Sequence, residues 1–151
     1  MAATLDRARI PAFSKRIDAL TADAHRHWGR MGPIEVLAHL RAALRLSLGQ
    51  IKLPDESTAL FRNRVIQWLL LGPLPWPKGK IEAPSSFQPT PGDSMEEERA
   101  KLKKAMEQFV DALDGEPDRI AVHPAFGDLT LRKWAKLHGK HFDHHLRQFG
   151  A

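Results

Sequence analysis

Three of the chain's eight histidines recur at helical spacing near its end: His138, His141 and His145 in LHGKHFDHHLRQ. At about 100° per residue they fall with Leu131, Trp134, Phe142 and Phe149 inside an arc about 100° wide, the width of a core-facing stripe. Arg132, Lys133, Lys136, Lys140 and Asp143 fall outside it as a wet face, and His144 lies on the flank. Imidazoles among buried residues need partners, because an unsatisfied buried polar group costs about 1–3 kcal/mol. A single one is met by a carbonyl or carboxylate. Three on a face with few acceptors are met more simply by a divalent cation, and histidines at i and i+4, here His141 and His145, converge on one ion from a single helix. A hydrogen-bonded histidine cluster is the competing reading of the same residues.

A metal needs a further ligand from elsewhere, and His25, His27, His39 and His123 are the candidates. His25 and His27 precede Trp28-Gly29 in a turn, and His123 stands before Pro124 in the loop HPAFGD. Only His39 lies within a helical pattern, where Val36, His39, Ala43 and Leu46 share a stripe. Ile34, Leu37, Ala38, Leu44 and Leu48 form a second apolar stripe opposite, so that helix is packed on two sides. The chain has no cysteine, which excludes disulfides, thiolate zinc sites and a cysteine nucleophile and leaves nitrogen and oxygen as donors.

The elements that must carry these residues are helices. A first covers about Leu5 to Leu20, with Pro11 near its start or at a kink. Gly32-Pro33 opens a second that runs to Leu48 and ends at Gly49, and a third spans Thr58 to Leu71. From Gly72 to Asp93 six prolines and three glycines make a long loop, the kind of connection that often serves as a lid. Ser94 and Glu97 have the capping-box spacing, and Glu96 to Glu98 suit the positive end of a helix that runs to about Leu113. Thr130 caps a last helix reaching Phe149, with Gly150 behind it. Strand signals are weak throughout, so the class is all-α, and 151 residues make one domain, 1–151.

The ending HPAFGDLTLRKWAKLHGKHFDHHLRQFG, the stretch HWGRMGPIEVLAHL and the mid-chain FQPTPGD together resemble the DUF1569 branch of the DinB/YfiT-like superfamily of four-helix bundles. The resemblance covers nearly the whole chain. It implies a four-helix bundle, here with an extra helix and a long Pro-rich loop between helices 2 and 4 of the chain. It also implies a divalent metal, zinc or nickel, held by His39 on the second helix and by the HxxxH pair His141 and His145 on the last. Gln148 matches the glutamine that follows the pair and is a candidate to support a ligand. His138 and His123 are candidates to line the pocket. Where the superfamily has glycine before that glutamine, this chain has Arg147, a departure shared with the DUF1569-like branch.

Those members include thiol transferases, so the resemblance implies a small-molecule partner, a low-molecular-weight thiol, and metal-dependent S-transfer or a related hydrolysis. A non-catalytic metal- or small-molecule-binding protein uses the same residues. No dedicated general base stands out; Glu35 is the nearest carboxylate and suits a helix N-terminus. Di-iron chemistry is excluded by the absence of glutamate from the last helix, and serine catalysis by the absence of a G-x-S-x-G element. The net charge of +5 and pI near 9.8 raise nucleic acid as a partner, but the basic residues are dispersed, with no run of five, and no reading motif occurs. The charged N-terminus and the short apolar run Val65 to Leu71 exclude a signal peptide and a membrane span. A cytoplasmic protein is expected, and the apolar stripes of the second helix allow a homodimer.

Overall fold

In the computed structural model of the chain, residues 4–72, 76 and 94–151 are described. They form α1 (Ile10–Ala19), α2 (Pro33–Ser47), α3 (Ala59–Arg62), α4 (Arg64–Leu71), α5 (Met95–Gly115), β1 (Ile120–His123), β2 (Gly127–Thr130) and α6 (Leu131–Arg147). The FQPTPGD element and nearly all of the Pro-rich loop lie outside the described residues.

Helix starts follow the capping chemistry of the sequence. Asp6 caps a short 3-10 turn, Arg7–Arg9, that leads into α1, and Pro11 sits in the first turn of α1, where a missing N–H costs nothing. Pro33 does the same for α2, Ser94 accepts from Glu97 N at the start of α5, and Thr130 accepts from Lys133 N at the start of α6. Gly49, at φ 73°, takes the left-handed conformation that ends α2.

α2 packs against both α5 and α6, and α1 packs against the same two helices. Leu37, Leu40 and Leu44 from α2 meet Leu102, Met106 and Phe109 from α5 and Trp134, Phe142 and Leu146 from α6, while α1 adds Phe13 and Ile17. Phe13 sits edge-on to Phe142 at 5.6 Å. Both stripes of α2 are thus covered, and ten of its fifteen residues are buried. The intrachain cover comes from α5, α6 and β1.

Three expectations need correction. The chain is mostly helical but not all-α: β1 and β2 pair antiparallel, with Ala121 opposite Leu129 and His123 opposite Gly127. Strands of four residues give an alternation too short to stand out in the sequence, and the hairpin is fixed at its turn and by Trp134 Nε1 donating to Ala121 O. Gly127 takes φ 73°, and His123 Nδ1 accepts from the amides of Ala125 and Phe126. His123 therefore ends a strand instead of standing in an open loop.

Second, Thr58 to Leu71 is two helices. Asn63 is extended, and its side-chain oxygen accepts from Val65 N and Ile66 N, so a cap restarts the helix at Arg64. Third, the basic face of α6 is only partly wet. Lys140 is buried because α4 packs beside it, and its Nζ donates to Leu70 O at 2.6 Å. Lys133 donates to the buried Gln67 at 3.1 Å. The exposed large apolar residues of this region are Leu60, Phe61, Val65, Trp68 and Leu69, on α3 and α4. No helix of the described residues is long and apolar enough to cross a membrane.

Candidate metal centre

Where α2 crosses α6, His39 meets His141 and His145. Their ring centroids lie 4.7 Å (His39–His141), 4.8 Å (His39–His145) and 4.7 Å (His141–His145) apart, each pair edge-on. His39 Nε2 and His141 Nε2 are 2.8 Å apart, one donating to the other. One ligand nitrogen from each of the three residues lies within 4.8 Å of the others. His39 and His145 are buried, and His141 is partly exposed.

The electrostatics favour neutral rings. Burial lowers the His39 pKa to about 4 and, with the charge of His39 as a smaller cause, the His145 pKa to about 3. Burial, followed by the neighbouring histidines, pushes His141 well below the ordinary value. At neutral pH each imidazole thus keeps a lone pair, the form that binds a metal.

His145 is oriented by its own helix end. Its Nδ1 donates to Gln148 Oε1 at 2.9 Å, which leaves Nε2 as the nitrogen available to the cluster. Gln148 is itself buried. Around the cluster, Trp76 lies 6.2 Å from the His141 ring and 5.9 Å from His144, and Lys140 Nζ stands 5.5 Å from the Trp76 ring centroid. Trp76 Nε1 and Lys140 Nζ both donate to Leu70 O, a last-turn carbonyl of α4 with no helical partner of its own. His144 also meets Trp28 at 6.2 Å.

The donor set fits a divalent ion. Zinc holds imidazole nitrogens at about 2.0–2.1 Å, so two ligands of a tetrahedral site lie about 3.3–3.4 Å apart. The triad's 2.8 Å edge and its 4.8 Å limit bracket that distance. Three neutral nitrogens, with no carboxylate among the described residues joining them, match zinc or nickel better than magnesium or calcium, which prefer oxygen.

His138 and His123 lie elsewhere. His138 is fully buried one turn before His141, its Nε2 within 2.9 Å of Ser47 Oγ, its ring stacked on Trp134 and edge-on to Phe109. Ser47 donates its proton to Leu44 O, so His138 donates to Ser47. The pair is sealed in the core, and burial lowers the His138 pKa to about 3, with His123 as a smaller cause. It is neither a reachable nucleophile nor a working base. His123, lowered by burial to about 4, staples the hairpin against Trp134. Neither joins the triad, nor do His25, His27 or His144. Residue types alone did not single out Trp76, which lies beside His141, or Trp28, which lies beside His144; tryptophan near a histidine pair carries no spacing signal.

The sequence matches the model of the family described as "Protein of unknown function (DUF1569)" over residues 3–151. The chain belongs to the DUF1569 family. No curated protein and no solved structure matches it.

Proposed function

We propose that His39, His141 and His145 hold one divalent ion, zinc or nickel, as in the DinB/YfiT-like bundles. On this reading the chain is a metal-dependent enzyme that acts on a small thiol, by S-transfer or a related hydrolysis. The observation that carries it is the convergence of three neutral imidazoles from two helices on one point of the core. An ion with three protein ligands keeps an open position, and its charge makes a thiol or water there easier to deprotonate.

The chain's own residues supply the rest. Gln148 sets the ring of His145. Trp76 flanks His141, Trp28 packs on the neighbouring His144, and Lys140, tied to Leu70 O, places a cation beside Trp76. That cation suits an acidic thiol. Low-molecular-weight thiols are kept reduced in the cytosol, where this reading puts the protein.

One observation favours a second reading, a metal-binding protein without turnover. Among the described residues no carboxylate joins the three histidines, and Glu35 lies in the first turn of α2 as an N-terminal charge. Metal analysis of protein purified without an affinity tag tests both readings. The enzyme reading expects stoichiometric zinc or nickel, and chelator-sensitive turnover of an electrophile with one of a panel of thiols. Stoichiometric metal with no turnover selects the second reading, and protein that neither retains nor takes up metal defeats both.

A further inference from the structure

The segment around Gly29 and the end of α6 are built into each other. Gly29 takes φ 89°, and a Cβ placed there would overlap the side-chain nitrogen of Gln148 and lie 3.2 Å from its Cδ. Only glycine satisfies both the backbone angle and the space. The fit is reciprocal, because Gly150 takes φ 71° and a Cβ there would lie 3.3 Å from His27 Nε2. Between these two points His27 N donates to Gln148 O. Gln148 is therefore fixed at its backbone by His27 and enclosed at its amide by Gly29, while its Oε1 faces His145 Nδ1 at 2.9 Å.

We propose that residues 27–29 are a latch whose work is to hold Gln148, and that Gly29 and Gln148 are positioning residues for His145. The latch keeps the Nδ1–H tautomer of His145, so that its Nε2 lone pair points to His39 and His141. Its effect on metal affinity rests on the metal reading above; its effect on the tautomer does not.

The physical chain is short. A neutral imidazole carries one N–H, and the acceptor at one nitrogen decides which nitrogen keeps the lone pair. Gln148 can serve as that acceptor only with its oxygen toward His145 and its nitrogen toward Gly29. A methyl group at position 29 would push the amide away from its place. The ring of His145 would then lose the partner that selects its tautomer, and groups that orient a ligand in this way typically change metal affinity by about 10–100-fold.

The test uses the full chain with Gly29→Ala, Gln148→Met and Gln148→Glu. Gly49→Ala serves as the control. Gly49 has a similar φ of 73° but nothing within 4 Å of its Cβ position, so alanine there brings the backbone strain without the contact. Two readouts are taken: long-range proton–nitrogen spectra of the histidine rings in metal-free protein, and titration with Zn2+ and Co2+.

Wild type, Gly49→Ala and Gln148→Glu are expected to show His145 as the Nδ1–H tautomer, which Gly29→Ala and Gln148→Met lose. The same two variants are expected to bind either ion about 10–100-fold more weakly than wild type. An unchanged tautomer across the folded variants would overturn the latch. So would affinities within about twofold of wild type when wild type itself binds. If wild type binds neither ion, the metal reading fails while the spectra still decide the latch. If Gly29→Ala does not fold but Gly49→Ala does, Gln148→Met and its rescue by Gln148→Glu decide it.

Discussion

Acid should destabilise the metal-free protein at an unusually mild pH. His123 and His138 are held near pKa 4 and 3, and the triad members His39 and His145 near 4 and 3, all chiefly by burial. In the unfolded chain the same rings titrate near 6.5. A folded pKa below the unfolded one gives stability that is complete above about pH 6.5 and is lost as the pH falls toward 4, because unfolding then takes up protons.

The magnitude follows ring by ring. Lowering the pH from 7.5 to 5.5 takes each unfolded ring from about one-tenth to about nine-tenths protonated, at a cost of about 1.4 kcal/mol per ring kept neutral in the fold. Repulsion between rings less than 5 Å apart makes each further proton harder to add, so all three triad rings stay neutral in the fold and each is counted. With His123 and His138 that makes five rings and a loss of about 7 kcal/mol, on the scale of the 5–15 kcal/mol typical of a whole domain.

Urea unfolding at the two pH values, with chelator present, measures it as a fall in midpoint at constant slope. His138→Leu should remove about a fifth of the pH dependence while costing stability at pH 7.5 through the loss of its bond to Ser47. Equal stability at the two pH values would refute the claim that these rings are buried and neutral.

Other predictions concern separate parts of the molecule. His141→Ala should abolish the upward shift in melting temperature produced by zinc. For wild type at a hundredfold excess over Kd that shift corresponds to about 2.7 kcal/mol, several degrees in a domain of this size, read by thermal denaturation. Asn63→Ala removes the side chain that accepts from Val65 N and Ile66 N, and should cost about 1 kcal/mol in chemical denaturation. Arg41 contacts the fully buried Glu98 at 3.2 and 3.3 Å; Arg41→Ala should cost about 3 kcal/mol, and the double change Arg41→Met with Glu98→Met should recover most of it.

What the sequence could disclose depended on the distance over which each feature is determined. His141 and His145 share a face by the geometry of one helix, and the caps at Ser94 and Thr130 act within three residues. His39 was less legible because α2 is apolar on both sides, so its wheel does not say which face meets α6. The break at Asn63 was hidden by continuous helix-forming residues on either side; an asparagine can end a helix or ride within it, and only the two amides it accepts from decide. The hairpin and the burial of Lys140 depend on what packs against them. Ser47, the partner of His138, lies 91 positions away, and no local pattern could have named it.

The two groups of histidines on α6 answer the same burial problem in different ways, and the difference bears on function. His138 has its hydroxyl partner in Ser47 and aromatic rings on both sides, so it is absorbed into the core. One turn further on, the rings of His141 and His145 face each other and His39. Among neutral imidazoles the 2.8 Å contact can share only one proton between His39 and His141, and Gln148 takes the only N–H of His145. The cluster is therefore rich in lone pairs and poor in protons. A core optimised for stability alone would replace such a cluster with apolar side chains of similar volume. Apo stability and ion binding should accordingly move in opposite directions in the double change His39→Leu with His141→Leu, which removes both partners of that contact: the metal-free variant should equal or exceed wild type in urea at pH 7.5, while zinc no longer stabilises it. A variant clearly less stable without metal would mean that the three rings hold α2 to α6 on their own account, and that an ion is not needed to explain them.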